Sequence, residues 1–281
     1  MAGEHSGEPS GGGIRSWVKK PVVWLGGIVV AALGIAITNA LVPWFSGLID
    51  QVGERGEVVT VVAAEPYQSD EAGGTVAFPA GVEFDDAELA QVNAASDRFT
   101  LLLGQGASPV GRAYVSILLE GNRSDTVRIV DAEVERECTE PLDGSLFLDP
   151  PGGAEEAIRL DFDLDADDPI ATATGSDGRP AQFFPAQTIS LAEDEQVALV
   201  VTAGTDEQSC DFRVRFTVLH GGDETTVVVP DVAEPPFRVT APVSEAEYET
   251  VFLGGVACGV GEFVRASEEY FATGVEPACQ G

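Results

Sequence analysis

Between residues 210 and 219 the apolar side chains Phe212, Val214, Phe216 and Val218 alternate with Asp211, Arg213, Arg215 and Thr217. Successive side chains of a strand point to opposite faces, so the pattern predicts a strand with one buried and one wet face. The same period-two signal recurs at 58–62, 114–119, 127–134, 158–164, 197–201 and 227–229. Shorter candidates lie at 146–148, 188–191 and 237–239. Turn residues separate these runs: Gly121-Asn122 with Ser124-Asp125, Pro150 to Gly153, Ser176-Asp177-Gly178, and Gly221-Gly222-Asp223. About ten short strands at such spacing predict a mainly β fold, an antiparallel β-sandwich with a barrel as the neighbouring possibility. Helical patterns are few: one at 86–95, and one at 262–272 with Gly274 beyond it as a stop. No repeat of fixed period is present, which argues against a propeller or solenoid.

One stretch carries neither alternation nor charge. Residues 21–49 lack any ionisable group, and 22–42 alone would make a helix of roughly 32 Å, enough for a hydrocarbon core of about 30 Å. Trp24 and Trp44 stand where interfacial indoles belong, and Pro21 and Pro43 bracket the span. Arg15, Lys19 and Lys20 precede it and Asp50, Glu54, Arg55 and Glu57 follow, so the positive-inside rule places the N-terminus in the cytoplasm and the rest outside. Thr38-Asn39-Ala40 also fits a signal-peptide cleavage site, although 41–49 would leave an apolar new terminus. Either route exports the remainder. The organisation expected is a disordered cytoplasmic tail at 1–20, a transmembrane helix at 21–48, a membrane-proximal segment at 49–110, an extracytoplasmic β-sandwich at 111–240 and a disulfide-closed tail at 241–281.

Leu119 to Ser124 leading into Val127-Arg128-Ile129, then Asp161 to Asp165, Ile189-Ser190-Leu191 and Cys210-Asp211-Phe212, are spaced strand and turn residues. Over about 110–240 they make the chain resemble a group of uncharacterised single-pass, membrane-anchored β-domain proteins of high-GC Gram-positive bacteria, the actinobacteria. The resemblance implies anchoring and export and brings no activity with it.

Composition changes the picture mainly through charge. Fifteen Lys plus Arg against 47 Asp plus Glu give −32, and after residue 49 the balance is 12 arginines against 45 acids, or −33. Such a surface repels nucleic acid and anionic headgroups, leaving the bilayer around the helix, a protein partner, an envelope polymer or cations. Four cysteines, Cys138, Cys210, Cys258 and Cys279, form an even set without CxxC spacing, as disulfides in an oxidising compartment do. Three connectivities are possible; Cys138 with Cys210 and Cys258 with Cys279 is favoured, the first pair flanking strands and the second closing the tail.

Chemistry is thinly represented. Asp161, Asp163 and Asp165 alternate along one strand, where carboxylates about 7 Å apart are a candidate calcium site. Ala166 and Thr172 replace the glycine and glutamate of an EF-hand loop, and Leu160, Phe162 and Leu164 make the aspartates equally the wet side of a buried strand. His220 beside Gly221-Gly222 reads as a turn residue rather than a catalytic base. No phosphate-binding loop, dinucleotide fingerprint or HExxH is present, so no cofactor and no catalytic residue is expected. Phe183-Phe184, on opposite faces of a strand, either bury together or leave one ring as a contact. The function expected is that of a non-enzymatic binding module, the alternative being an accessory or structural subunit recruited by its helix.

Overall fold

The computed structural model describes residues 56–68, 73–150, 159–174 and 178–280. The expected cytoplasmic tail and transmembrane helix lie outside the described residues, among which no helix is long and apolar enough to cross a membrane.

The described chain is mainly β. In chain order the strands are β1 (Val59–Pro66), β2 (Val76–Ala77), β3 (Ser108–Pro109), β4 (Arg112–Gly121), β5 (Val127–Thr139), β6 (Ser145–Leu148), β7 (Arg159–Asp163) and β8 (Thr172–Thr174). They continue with β9 (Pro180–Gln182), β10 (Ile189–Leu191), β11 (Gln196–Gly204), β12 (Ser209–His220), β13 (Asp223–Val229), β14 (Phe237–Thr240), β15 (Thr250–Leu253) and β16 (Val264–Arg265). Three short helices are α1 (Asp86–Ala94), α2 (Arg98–Gly104) and α3 (Glu268–Thr273).

Three sheets result. The first runs β1-β4-β11-β7-β8-β9, and the second runs β10-β5-β12-β13 with β14 also paired to β12. The alternation read along 210–219 is the reason these two meet. Phe212, Val214, Phe216 and Val218 of β12 share one apolar cluster with Val115, Ile117 and Leu119 of β4, Leu199 and Val201 of β11, and Leu160 and Phe162 of β7. Their polar alternates face outward on both sheets. Phe183 and Phe184 both bury in this cluster.

The third sheet runs β16-β15-β6-β2-β3. Phe147 of β6 sits at its centre, stacked on Phe252 with ring centroids 4.6 Å apart and edge-on to Phe78, Phe84 and Phe263. Aromatic pairs of this kind add to the area they bury, so these rings form a second core. Gly144 leads into β6 because a Cβ there would collide with the Pro79 carbonyl.

Several expectations are corrected. The sheets are not wholly antiparallel: β11 runs parallel to β7 and β15 parallel to β6. Residues 110 and 240 do not separate folding units, because the third sheet takes β2 and β3 from before 110, β6 from the middle and β15 and β16 from after 240. The helix expected at 262–272 starts late: Val264 and Arg265 pair with β15, and the Ser267 side chain then accepts the Tyr270 amide as the cap of α3. Gly274 ends α3 in the left-handed region at φ 74°, as a helix stop requires. Helix α1 matches its expected place, with a reciprocal cap between Asp85 and Glu88.

Both disulfides join the favoured pairs. Cys138 and Cys210 are direct partners in the β5–β12 register, and Cys258 bonds Cys279.

Candidate functional site

The outer face of the first sheet is built by register. Tyr114 of β4 lies opposite Thr202 of β11, Thr202 opposite Asp161 of β7, Asp161 opposite Thr172 of β8, and Thr172 opposite Gln182 of β9. Their chain neighbours Ala113, Val115, Val201, Ala203, Leu160 and Phe162 are buried in the shared core, which turns this row outward. One polar side chain per strand therefore crosses five strands, spaced about 4.8 Å apart. Tyr67, just past β1, closes one end; its ring meets that of Tyr114 edge-on at 6.3 Å, and its amide donates to the Tyr114 carbonyl at 3.0 Å.

Neighbouring rows complete the face. Arg112, Gly204 and Asp163 align on one side, and Ser116, Val200 and Arg159 on the other. Gly204 carries no side chain, and a Cβ there would make only ordinary contacts, the Arg112 side chain among them. Thr202 is 4% exposed, and its hydroxyl has no hydrogen-bond partner. Buried hydroxyls without partners are uncommon, because desolvation then goes uncompensated.

Asp161 and Asp163 thus share the outer face as the alternation requires, whereas Asp165 does not join them. Among the described residues no group of three His, Cys, Asp or Glu is placed to hold a metal ion. Asp165 lies beyond the end of β7, where its carboxylate accepts the Thr205 hydroxyl at 2.7 Å and the Asp206 amide at 2.6 Å. Asp163 accepts the Asp165 amide at 3.0 Å. Asp165 thereby fastens the turn between β11 and β12 to the end of β7, while Asp163 steadies the turn that carries Asp165.

The outer face of the second sheet is a ladder of charge. Glu133, Glu135 and Glu137 of β5 stand opposite Arg215, Arg213 and Asp211 of β12. Arg215 pairs with Glu135, and Arg213 donates to the Glu234 carbonyl at 2.6 Å. Exposed pairs of this kind contribute only about 0–1 kcal/mol, so the ladder sets surface character more than stability. An open groove of about 380 Å³ runs along it between Glu137, Asp211, Arg213 and Pro236.

No family model matches this chain, and no curated protein matches its sequence.

His220 ends β12 and pairs with Asp223 across the Gly221-Gly222 turn, both glycines having positive φ. A second groove, of about 440 Å³, separates α1 from β16 and is lined by Leu89, Asn93, Phe263 and Arg265. In the tail, the Tyr270 hydroxyl donates to Glu245 at 2.7 Å; burial first, and the adjacent carboxylate second, push its pKa up to about 12. Glu276, 7% exposed, accepts the Ser267 amide at 2.7 Å and the Ala278 amide at 3.3 Å, and the Ser267 hydrogen bond holds its carboxyl below the ordinary carboxylate range.

Sequence reasoning did not single out Tyr67, Tyr114 or Thr202. Alternation along 114–119 places Tyr114 on a wet face, but nothing in the sequence says that Thr202 and Asp161 lie beside it.

Proposed function

We propose that this chain is a membrane-anchored, extracytoplasmic β-sandwich acting as a non-catalytic binding module for a protein partner or an envelope polymer. The N-terminus would be cytoplasmic, residues 22–42 would span the bilayer, and the domain after residue 49 would stand outside, as in the actinobacterial group that 110–240 resembles. The observation that carries the reading is the Cys138–Cys210 disulfide between two adjacent strands, with Cys258–Cys279 in the tail. Bonds of this kind persist in oxidising compartments, and the uncharged span at 21–49 supplies the route there. The sandwich is supported by the apolar cluster that the first two sheets share. The binding role is supported by two outer faces rich in paired polar groups.

Cross-linking of the full chain in its native membrane tests the reading. Carboxylate-reactive chemistry is required, because no lysine follows Lys20. Recovery of one reproducible protein or wall polymer is expected, and recovery of neither overturns the binding role. Replacing 22–42 by an unrelated apolar helix then decides between the two readings: a retained partner supports the module, whereas a lost one supports an accessory subunit recruited through its helix.

A further inference from the structure

We propose that the free edge of β13 docks a protein partner by strand addition, taking an extended segment that carries a basic side chain toward each end. This rests on the reading of the domain as an extracytoplasmic binding module and assigns it a surface and a partner chemistry.

β13 ends the second sheet and pairs with β12 on one side only. Ala241, just past β14, donates its amide to the carbonyl of Gln208, just before β12, at 2.7 Å. The even-numbered residues of β12 therefore turn their backbone groups toward β14 and β13. Cys210 agrees with this parity: its Cα lies 4.1 Å from that of Cys138, the separation of a pair that does not exchange hydrogen bonds with β5. The β12–β13 register then runs unbroken from Val214 opposite Val229 to His220 opposite Asp223. Odd residues of β13 bond to β12, and Glu224, Thr226 and Val228 turn their amides and carbonyls outward. Among the described residues none of these outward groups has a hydrogen-bond partner.

The other sheet ends are blunted in ways that prevent pairing. β9 and β10 are three residues long, and β9 begins at Pro180. β3 is two residues with Pro109, and β16 is two residues beside Phe263, whose backbone groups Asn93 occupies. β1 is long but bulges between Val61 and Ala63 and ends at Pro66. β13 has seven residues with no proline, lysine or bulge, and Asp223 to Thr226 are exposed on both faces.

Both ends of this edge are acidic. Asp223 and Glu224 stand at one end, and Asp231 and Glu234 follow Pro230 at the other, all of them exposed. β1, a first-sheet strand that comes near β13, carries Glu65 as its one charge. Against these acids stand two arginines of β12 that are already engaged: Arg215 with Glu135, and Arg213 with the Glu234 carbonyl at 2.6 Å. His220 faces Asp223 across the turn. A strand with Lys or Arg near each end and an uncharged β-branched residue opposite Thr226 would fill the outward backbone groups and set opposite charges across the pair.

The test places the photo-cross-linking residue p-benzoylphenylalanine at position 226 of the full-length chain in its native membrane, with position 182 on β9 as the control. Captured residues are mapped by mass spectrometry. Capture is expected at 226 and not at 182, in a foreign segment with at least two Lys or Arg over about seven residues, the number that spans β13. A synthetic peptide of that segment should bind the purified full-length protein in mild detergent, and more weakly as salt rises. Thr226→Pro should weaken binding at least tenfold, and its melting temperature should stay that of the wild type, because the lost amide faces away from β12. Glu224→Arg, which keeps the backbone groups, should weaken binding as well. No capture at 226, capture of a second copy of this chain, or capture of a segment without basic residues overturns the proposal. So does peptide binding that survives both variants. A partner recovered by carboxylate cross-linking but not from position 226 would sink the β13 edge and leave the binding module standing, so the two fail separately.

Discussion

Asn93 holds Phe263 by both of its backbone groups: the side-chain Nδ2 donates to the Phe263 carbonyl at 3.0 Å, and Oδ1 accepts the Phe263 amide at 2.7 Å. The residues are 170 positions apart, one on α1 and one just before β16. A side-chain amide here does what a neighbouring strand would do. Removing it leaves a donor and an acceptor unpaired beside a ring that is 4% exposed. Asn93→Ala should therefore cost about 1–3 kcal/mol in urea unfolding followed by circular dichroism. Asn93→Asp keeps the acceptor alone and should fall between the two. Equal midpoints for all three proteins would show that the contact contributes nothing.

The Cys138–Cys210 bond ties partners that the β5–β12 register already places opposite one another across 72 positions of sequence. Its effect is mainly on the unfolded chain, and replacing both cysteines by alanine should lower stability by about 2–4 kcal/mol. The Cys258–Cys279 bond spans 21 positions at the end of the chain. Its loss should open the tail to protease while the melting transition of the first two sheets stays in place. A single cooperative collapse on losing the tail disulfide would contradict this division.

Two groups in the tail make its stability depend on pH at opposite ends. Glu276 is held below its ordinary value of 4.5, so its contribution is present above pH 4.5 and disappears as pH falls through the lower, folded value. Tyr270 is raised from 10.0 to about 12, so its contribution is complete below pH 10 and disappears as pH rises toward 12. Hydrogen exchange across residues 243–280 should show a plateau of protection between these limits. Glu276→Gln should remove the acid limb and Tyr270→Phe the alkaline one; a profile unchanged by either variant would refute the assignment.

Asp165 is spent on the Thr205 hydroxyl and the Asp206 amide. Asp165→Ala should lower stability by about 1–2 kcal/mol through the two lost hydrogen bonds, and added calcium should not restore it. A calcium-dependent rise in the melting temperature of the wild type, absent from Asp161→Asn and Asp163→Asn, would reinstate a metal site at these carboxylates.

Ten of the strands were legible, most of them because they carry their own alternation, and β6 as a short apolar run between turn residues. Val214 and Phe216 announce a buried face wherever β12 ends up, since period two is a property of the strand itself. The short strands β2, β3, β8, β9, β15 and β16 were not legible. Thr250–Leu253 buries Val251, Phe252 and Leu253 in succession, and such a run has no wet face to reveal it. Helix α2 escaped for a similar reason: Arg98–Gly104 is too short to show a period of 3.6 residues, and its Asp97 cap is read only once the helix is known.

The sequence by itself determined which residues turn inward, where the chain turns at Gly221-Gly222, and that four cysteines would pair. Tertiary structure alone decided which strands became neighbours. Only the parallel pairing of β11 with β7 sets Thr202 beside Asp161, and only the pairing of β15 with β6 brings the tail onto the segment before residue 110. The physical reason is that alternation is fixed by local backbone geometry, whereas neighbours are chosen by the burial that distant segments share once loop closure has been offset. Asp165 shows the consequence: its spacing from Asp161 and Asp163 suggested a common ligand set, and the fold gave it to a turn 40 residues away.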